Sequence, residues 1–109
     1  MDLTIELLVK NYGLTKKSID DKIEIVGEHK HLQIRTRNVI EEDGVEISST
    51  FNRRTLNPGD LDKDNNLIDT DLSSESSEVK SIANIVWTDA VKTSWKNLLI
   101  AELPKGFTP

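Results

Sequence analysis

The feature that most constrains the fold is the dipeptide Asp43-Gly44, which lies between two segments of alternating apolar and polar residues. Asp-Gly favours a two-residue turn in which both residues have positive φ, and such a turn joins antiparallel strands. If it does so here, Ile40 faces Ile47 and Thr36 faces Phe51 across the pair. The sequence therefore predicts a β-hairpin with Asp43 and Gly44 at its turn.

The predicted register divides the hairpin side chains between two faces, because successive residues of a strand point to opposite sides. One face collects most of the apolar residues: Leu32, Ile34, Thr36, Ile40, Val45, Ile47 and Phe51. The other face collects Gln33, Arg35, Arg37, Val39, Glu41, Glu46, Ser48, Thr50, Asn52 and Arg54. A slip of one residue would scramble this division, so the separation supports the hairpin.

Further strands are predicted before the hairpin. The segment LTIELLV, residues 3 to 9, alternates as a strand does, with a short helix as the alternative because three apolar residues are consecutive. YGLTKKSIDD is predicted to be a connection. KIEIVG, in which Ile23 and Ile25 alternate with polar residues, is predicted to be another strand.

Residues 76 to 103 have the spacing of helices. Apolar residues recur at intervals of three and four, at Val79, Ile82, Ala83 and Val86, and again at Val91, Trp95, Leu98 and Leu99. The candidates for the N-cap of the first helix are Ser73, Ser74, Ser76 and Ser77. Thr88 is predicted to begin a second helix, which ends before Pro104 and Gly106. Trp87 and Trp95 are predicted to cover the apolar face of the sheet, with ligand stacking as the alternative.

Together these patterns predict an α+β fold, with an antiparallel β-meander of three or four strands followed by one or two C-terminal helices packed on one face. The length of 109 residues is that of one small domain. We expect strands in residues 1–56, an acidic loop in residues 57–75 and helices in residues 76–103. The chain has no cysteine, which fits a reducing compartment or a particle assembled inside a cell.

The negative charge is concentrated in residues 60–78, whose seven acidic residues and one lysine give −6 against −5 for the whole chain. Nucleic-acid binding needs a concentrated basic surface, so a nucleic-acid partner is not expected. The N-terminal segment carries acidic residues where a signal peptide has basic ones, and no apolar run approaches the roughly 20 residues that span a bilayer. We therefore expect neither secretion by a recognisable signal nor a membrane partner.

Within the acidic segment, DLDKDNNLIDTD matches part of the calcium-loop pattern. The oxygen ligands at its positions 1, 3, 5, 7 and 12 would be Asp60, Asp62, Asp64, Asn66 and Asp71. Position 6 is Asn65 instead of glycine, and position 12 is aspartate instead of the longer glutamate. The alternative is a solvated acidic connection, and we expect no bound metal and no other cofactor.

Two histidines, His29 and His31, would point to the same side of a strand and could chelate a metal. A third ligand is required, and the next acidic residue after His31 is Glu41. We expect these to be solvated histidines at the entrance of a strand.

The sequence also lacks the patterns of catalytic sites. It has no thiol, no glycine-rich phosphate loop and no serine in a nucleophile elbow. The acid pair Glu41 and Glu42 lies at a hairpin tip, where contact with solvent does not give a carboxylate the altered reactivity of a catalytic group. We expect no enzymatic activity.

Three segments, DKIEIVG, LQIRTRNVIEEDGVEISSTFNRRTLNPGD and VKSIANIVWTDAV, resemble a group of small, mostly uncharacterised proteins that tailed bacteriophages encode near structural genes. The resemblance covers roughly residues 15 to 92. Where such sequences have His beside Arg after the hairpin, this chain has Asn52-Arg53-Arg54, and its N-terminal segment and acidic insert look like additions. The resemblance implies no catalytic residues. It implies a role in the virion or its assembly, with other virion proteins or copies of itself as partners, in the virion and in the host cytoplasm during assembly.

Two functions follow as hypotheses. In the first, the protein is a non-enzymatic component of the phage tail or neck that acts through protein contacts, using sheet edges, helices and apolar groups that include LTIELLV, Val39 and NLLIAELPKGF. In the second, it is a small intracellular binding or regulatory module whose basic strand face engages an anionic partner. The residues predicted to make contacts are Arg35, Arg37, Arg53, Arg54, Trp87 and Trp95.

Overall fold

The computed structural model describes residues 13–104, so the strand or helix predicted for residues 3 to 9 lies outside the described residues. The elements in chain order are β1 (Leu14–Val26), β2 (His31–Glu42), β3 (Val45–Leu56), β4 (Gly59–Leu61), β5 (Leu67–Asp69), α1 (Ser77–Val86) and α2 (Asp89–Ala101). Strands β1, β2 and β3 form an antiparallel meander in that order, and β4 pairs with β5. The predicted α+β fold, a meander followed by two C-terminal helices, is confirmed.

The described residues divide into two compact units. One contains residues 13–23 and 34–54, and the other contains residues 24–33 and 55–104. The first unit holds the hairpin and the start of the meander. The second holds both helices and the short β4–β5 sheet.

The turn of the hairpin has the predicted geometry. β2 ends at Glu42 and β3 begins at Val45, and φ is +50° at Asp43 and +83° at Gly44. Positive φ at both central residues is what a two-residue turn between twisted antiparallel strands requires. The prediction made from Asp43-Gly44 is confirmed.

Gly44→Val is expected to lower the free energy of unfolding by about 1 to 3 kcal/mol, because a β-branched residue resists positive φ. A Cβ at this position would meet no atom within 4 Å, so the loss comes from the backbone conformation alone. Denaturant unfolding measures it, and Gly44→Asn is the control because asparagine tolerates this region. Equal stability of the valine variant and the wild type would contradict the turn assignment.

β1 is longer than predicted, because it begins at Leu14 and includes the residues predicted as a connection. Polar side chains bond this part to β2 at three positions: Asp21 with Arg35, Asp20 with Thr36, and Ser18 with Asn38. This part of β1 lacks alternating apolar residues. Side-chain hydrogen bonds to β2, and not the burial of apolar side chains, hold it in the sheet. The prediction of a connection in YGLTKKSIDD is therefore wrong from Leu14 onward.

The predicted division of faces is wrong away from the turn. The guanidinium of Arg35 lies 4.5 Å from the centre of the Phe51 ring, and Arg54 donates a hydrogen bond to Thr36 at 2.8 Å. The predicted register put the members of each pair on opposite faces. Each contact joins two side chains on one face, so the predicted pairing does not extend to Phe51 and Arg54.

Burial along the hairpin also differs from the prediction. Ile34 and Val39 are each 1% exposed. They are five residues apart, so in a regular strand their side chains point to opposite faces of β2. The buried face therefore changes along this strand. Val45, Ile47 and Phe51, predicted on the covered apolar face, are instead 65%, 54% and 49% exposed.

In the second unit, the helices follow the predicted pattern. Val79 and Ala83 are buried on one side of α1, and Trp87, which caps its C-terminal end, is also buried. Ser76 begins this helix by accepting a hydrogen bond from the N–H of Val79 at 3.2 Å, and Thr88 begins α2 in the same way. These side chains satisfy N–H groups that have no partner within the helix. The predicted break between two helices is confirmed.

The segment predicted as an acidic loop contains the β4–β5 hairpin. Gly59 pairs with Asp69 and Leu61 with Leu67. At its turn Asn65 has a φ of +61°, a conformation that asparagine tolerates better than most residues. Part of the acidic segment thus forms a hairpin, and Asn65 suits the backbone conformation of its turn.

Candidate interaction surface

The arginines predicted to form a basic face lie beside carboxylates. Arg35 donates two hydrogen bonds to Asp21, from Nε at 2.9 Å and from Nη2 at 2.8 Å. Hydrogen bonding from Arg35 lowers the pKa of Asp21 below its ordinary value and raises that of Arg35. This forked geometry holds the guanidinium planar against one carboxylate, so Arg35 is poorly placed to bind another anion.

Arg54 belongs to a second polar cluster on the sheet. It donates to Thr36 Oγ1 at 2.8 Å and to Asp20 at 3.2 Å, while Thr36 donates to Asp20 at 2.7 Å. Burial raises the pKa of Asp20, but the hydrogen bonds from Arg54 and Thr36 outweigh it and hold the pKa below its ordinary value. Asp20 therefore stays ionised, and Arg54 neutralises it.

The remaining arginines of the hairpin differ from each other. Arg37 pairs with Glu46 across the β2–β3 pair, whereas Arg53 is exposed on β3. The carboxylates beside Arg35, Arg37 and Arg54 leave little net positive charge on this part of the sheet. Sequence analysis missed this because Asp20 and Asp21 lie in the segment that it predicted to be a connection.

β3 is the most exposed strand. Its residues 45–53 are all exposed, and we call this stretch the β3 edge. Among residues 13–104, β3 pairs with β2 alone. An outer strand presents backbone N–H and C=O groups that can pair with another strand. The β3 edge thus combines open hydrogen-bonding groups with the exposed side chains of Val45, Ile47 and Phe51.

In the second unit, the two histidines are packed and not solvated, so that expectation is wrong. His29 is 9% exposed. The ring of Trp95 lies 5.4 Å from that of His29 and 4.9 Å from that of His31, and the two imidazoles are 6.2 Å apart. Burial, and then the neighbouring His29, lower the pKa of His31 below its ordinary value. The packing of these rings was not predictable from the sequence, because Trp95 is distant from both histidines along the chain.

The lowered pKa of His31 predicts a loss of stability in mild acid. The unfolded chain takes up a proton near pH 6.5, whereas the folded chain does so only at lower pH. The stabilisation is therefore complete above pH 6.5 and is lost as the pH falls from there toward the folded pKa. The free energy of unfolding should decrease over this range in the wild type and decrease less in His31→Gln. Equal slopes in the two proteins would contradict the prediction.

Both tryptophans make structural hydrogen bonds. Trp87 Nε1 donates to the carbonyl oxygen of Lys30, and Trp95 Nε1 donates to that of Gly59, each at 2.8 Å. Trp87 is 7% exposed, so its ring packs in the interior of its unit. Neither indole N–H is therefore available to a ligand.

A cavity of about 210 Å³ lies in the second unit, with Pro58, Leu72, Lys80, Asn84, Trp87 and Lys92 among its lining residues. The ammonium of Lys92 is 3.1 Å from the carboxylate of Asp69, which offsets its charge. Most of the polar lining is on exposed side chains. The cavity has room for a small molecule, but its lining does not favour one chemical class of ligand.

The acidic residues of the calcium pattern bond to nearby backbone groups. Asp62 Oδ1 accepts from the N–H groups of Asp64 and Asn66 at 2.8 and 2.9 Å. Asp71 accepts from Ser73, and this backbone hydrogen bond lowers the pKa of Asp71. Asp60 accepts from the next residue of the chain. In residues 13–104, no group of three or more His, Cys, Asp or Glu side chains could hold a metal ion.

We expect millimolar calcium to leave the melting temperature unchanged, because Asp60, Asp62 and Asp71 each bond to nearby backbone N–H groups and the carboxylates of the described residues do not form a cluster that could hold a metal ion. A cation bound to the folded protein alone would raise the melting temperature as its concentration rises. A thermal unfolding series in calcium, with magnesium as the control, measures this. A calcium-specific rise would restore the calcium-loop hypothesis.

Comparison with known proteins gives no assignment. No protein-family model matches the chain, and neither does any curated protein or solved structure. Within residues 13–104, no helix has the length and apolar character needed to cross a membrane.

Proposed function

We propose that the protein is a non-enzymatic, virion-associated structural or assembly component of a tailed bacteriophage, at the tail or neck, and that it acts through protein–protein contacts. The observation that supports this best is the apolar surface on the outer strand, where Val45, Ile47 and Phe51 keep about half or more of their area exposed. Large apolar side chains that stay exposed close together along one strand are typical of contact surfaces. The resemblance to phage proteins supplies the location, in the virion and in the host cytoplasm during assembly.

The apolar residues exposed on β3 are not those that the sequence predicted to make contacts. Val39 is buried and is therefore not available for contacts. Of the C-terminal apolar residues, Leu98 and Leu99 are only half-buried and Ile100 is exposed, so α2 can contribute. The N-terminal LTIELLV lies outside the described residues.

The alternative function, an intracellular module that binds an anionic partner, has less support. It requires unpaired arginines on the strand face, whereas Arg35, Arg37 and Arg54 each lie beside an acidic side chain. Such a partner would have to displace these contacts. Salt-sensitive binding of the free protein to nucleic acid would favour this alternative.

A density gradient of purified particles tests the proposal. The wild-type protein should migrate with particles of the phage that encodes it. The double variant Val45→Thr/Ile47→Thr should remain with the free protein, because it loses apolar contact surface but keeps β-branched side chains that suit a strand. Ile68→Thr, at an exposed position of β5, is the matched control and should migrate with particles. Absence of the wild type from the particle fraction would refute the proposal.

A further inference from the structure

We infer that the β3 edge is a self-association surface, through which two copies of the chain pair antiparallel and extend their sheets into one. The inference rests on the proposed function and deepens it by naming the partner, a second copy of this chain. Three observations support it: the two outer strands differ in charge, the charges of β3 lie at the ends of its edge, and the apolar side chains of β3 are exposed.

The two outer strands of the meander are protected to different degrees. Charged side chains, lysine above all, discourage pairing at a sheet edge. β1 carries them along its length, at Lys16, Lys17, Asp20, Asp21, Lys22 and Glu24. In β3 the residues 47–52, ISSTFN, include no charge and no proline. The middle of the β3 edge, residues 47–52, therefore lacks the charges and prolines that discourage an outer strand from pairing with another strand.

The charges at the two ends of the β3 edge select the direction of pairing. Glu46 lies near its beginning and Arg53 near its end. Antiparallel pairing places Glu46 of each copy near Arg53 of the other, whereas parallel pairing would place like charges together. The side chain of Glu46 keeps 42% of its area exposed beside Arg37, so a second cation can reach it.

The middle of the β3 edge fits close approach of a second strand. Ser49 and Thr50 have small side chains and lie midway between Glu46 and Arg53. In the symmetric antiparallel pair that places Glu46 opposite Arg53, Ser49 of each copy lies opposite Thr50 of the other. Ile47 and Phe51 then lie opposite Asn52 and Ser48 of the second copy, and removal of their apolar groups from water favours association.

Single-cysteine variants test the geometry, because the natural chain has no cysteine. In the pairing that places Glu46 opposite Arg53, Ser49 lies opposite Thr50 of the other copy, and directly opposed residues bring their Cβ atoms to about 4.5–5.5 Å, near enough for a disulfide after small adjustments. A mixture of the Ser49→Cys and Thr50→Cys variants should therefore form a cross-linked dimer under mild oxidation. A mixture of Thr50→Cys with Ser18→Cys, at an exposed position of β1, is the control and should stay monomeric. Cross-linking of Ser49→Cys with Thr50→Cys no greater than in the control mixture would overturn the inference.

A charge exchange tests the direction. Glu46→Lys and Arg53→Glu should each weaken the dimer by about tenfold in Kd, because each introduces like-charge contacts twice in a symmetric pair. The double variant should recover most of the loss, as measured by sedimentation equilibrium. Circular dichroism identifies any variant that fails to fold. A wild type that stays monomeric at high concentration would overturn the inference.

The two proposals can fail separately. A protein that joins particles but neither cross-links nor dimerises keeps the proposed function and loses the β3 pairing. A protein that dimerises through β3 but never enters the particle fraction keeps the pairing and loses the role in the virion.

Discussion

Trp87→Ala is expected to lower the free energy of unfolding by about 3 to 5 kcal/mol, the usual cost of removing a large buried aromatic side chain. The side chain is 7% exposed, and its Nε1 donates a hydrogen bond to the carbonyl oxygen of Lys30 at 2.8 Å. The variant loses the packing of the ring and leaves this acceptor without its partner. Because domains are commonly stable by only about 5 to 15 kcal/mol, this single change would bring the chain close to unfolding.

Denaturant unfolding followed by circular dichroism measures the loss, and the fluorescence of Trp95 gives a second probe in the variant. Trp87→Phe is the informative control, because it keeps an aromatic ring and removes mainly the hydrogen bond, for a loss of about 1 to 2 kcal/mol. Ile85→Ala, at a 74% exposed position of the same helix, should change stability by no more than about 0.5 kcal/mol. If the alanine variant were as stable as Ile85→Ala, Trp87 would not be the core residue that its burial indicates.

The features that the sequence predicted correctly depend on local chemistry. Asp43-Gly44 determines a turn because few other residues accept positive φ at two successive positions. Ser76 and Thr88 determine where the helices begin because a hydroxyl bonds to an N–H only three residues away. Val79 and Ala83 are one turn apart, so their burial follows from helix geometry alone. None of these inferences needs knowledge of distant residues.

The features that it missed depend on distant partners. Alternation tells which residues share a face of a strand, but not which face is covered, so the environments predicted for Val39 on β2 and for Ile47 on β3 were wrong. The arginines were visible as a basic group, whereas their charge depends on Asp20 and Asp21, which the sequence placed in a connection. A segment without apolar alternation can still be a strand when the neighbouring strand supplies its hydrogen-bond partners.

The β4–β5 hairpin was missed for a different reason. Strands of three residues are too short to show a period, and the acidic residues around them indicated a solvated loop. The residue that makes the hairpin compact is Gly59, which is buried and pairs with Asp69. Its carbonyl oxygen accepts the hydrogen bond from Trp95 Nε1, so this short sheet is also bonded to α2.

Gly59→Val is accordingly expected to lower the free energy of unfolding by about 3 kcal/mol, near the upper end of the usual cost of overpacking. A Cβ at this position would lie 2.7 Å from the backbone oxygen of Ile68 and 3.0 Å from Leu67 Cγ. The side chain of Leu67 can rotate away, but the carbonyl oxygen can move only if β5 moves. That displacement would also disturb the hydrogen bond between Trp95 and Gly59, so the fluorescence of Trp95 should change.

Asp60→Val separates this clash from the general effect of a β-branched residue in β4. Asp60 is the next residue along the strand, and its side chain is exposed, so valine there meets solvent and should change stability by no more than about 0.5 kcal/mol. Gly59 does not have positive φ, so backbone strain cannot account for a loss at position 59. A large loss in Gly59→Val with little change in Asp60→Val would therefore identify the contact with the Ile68 carbonyl as the cause. Equal small losses in both variants would mean that β5 moves freely, and that the two short strands do not constrain each other.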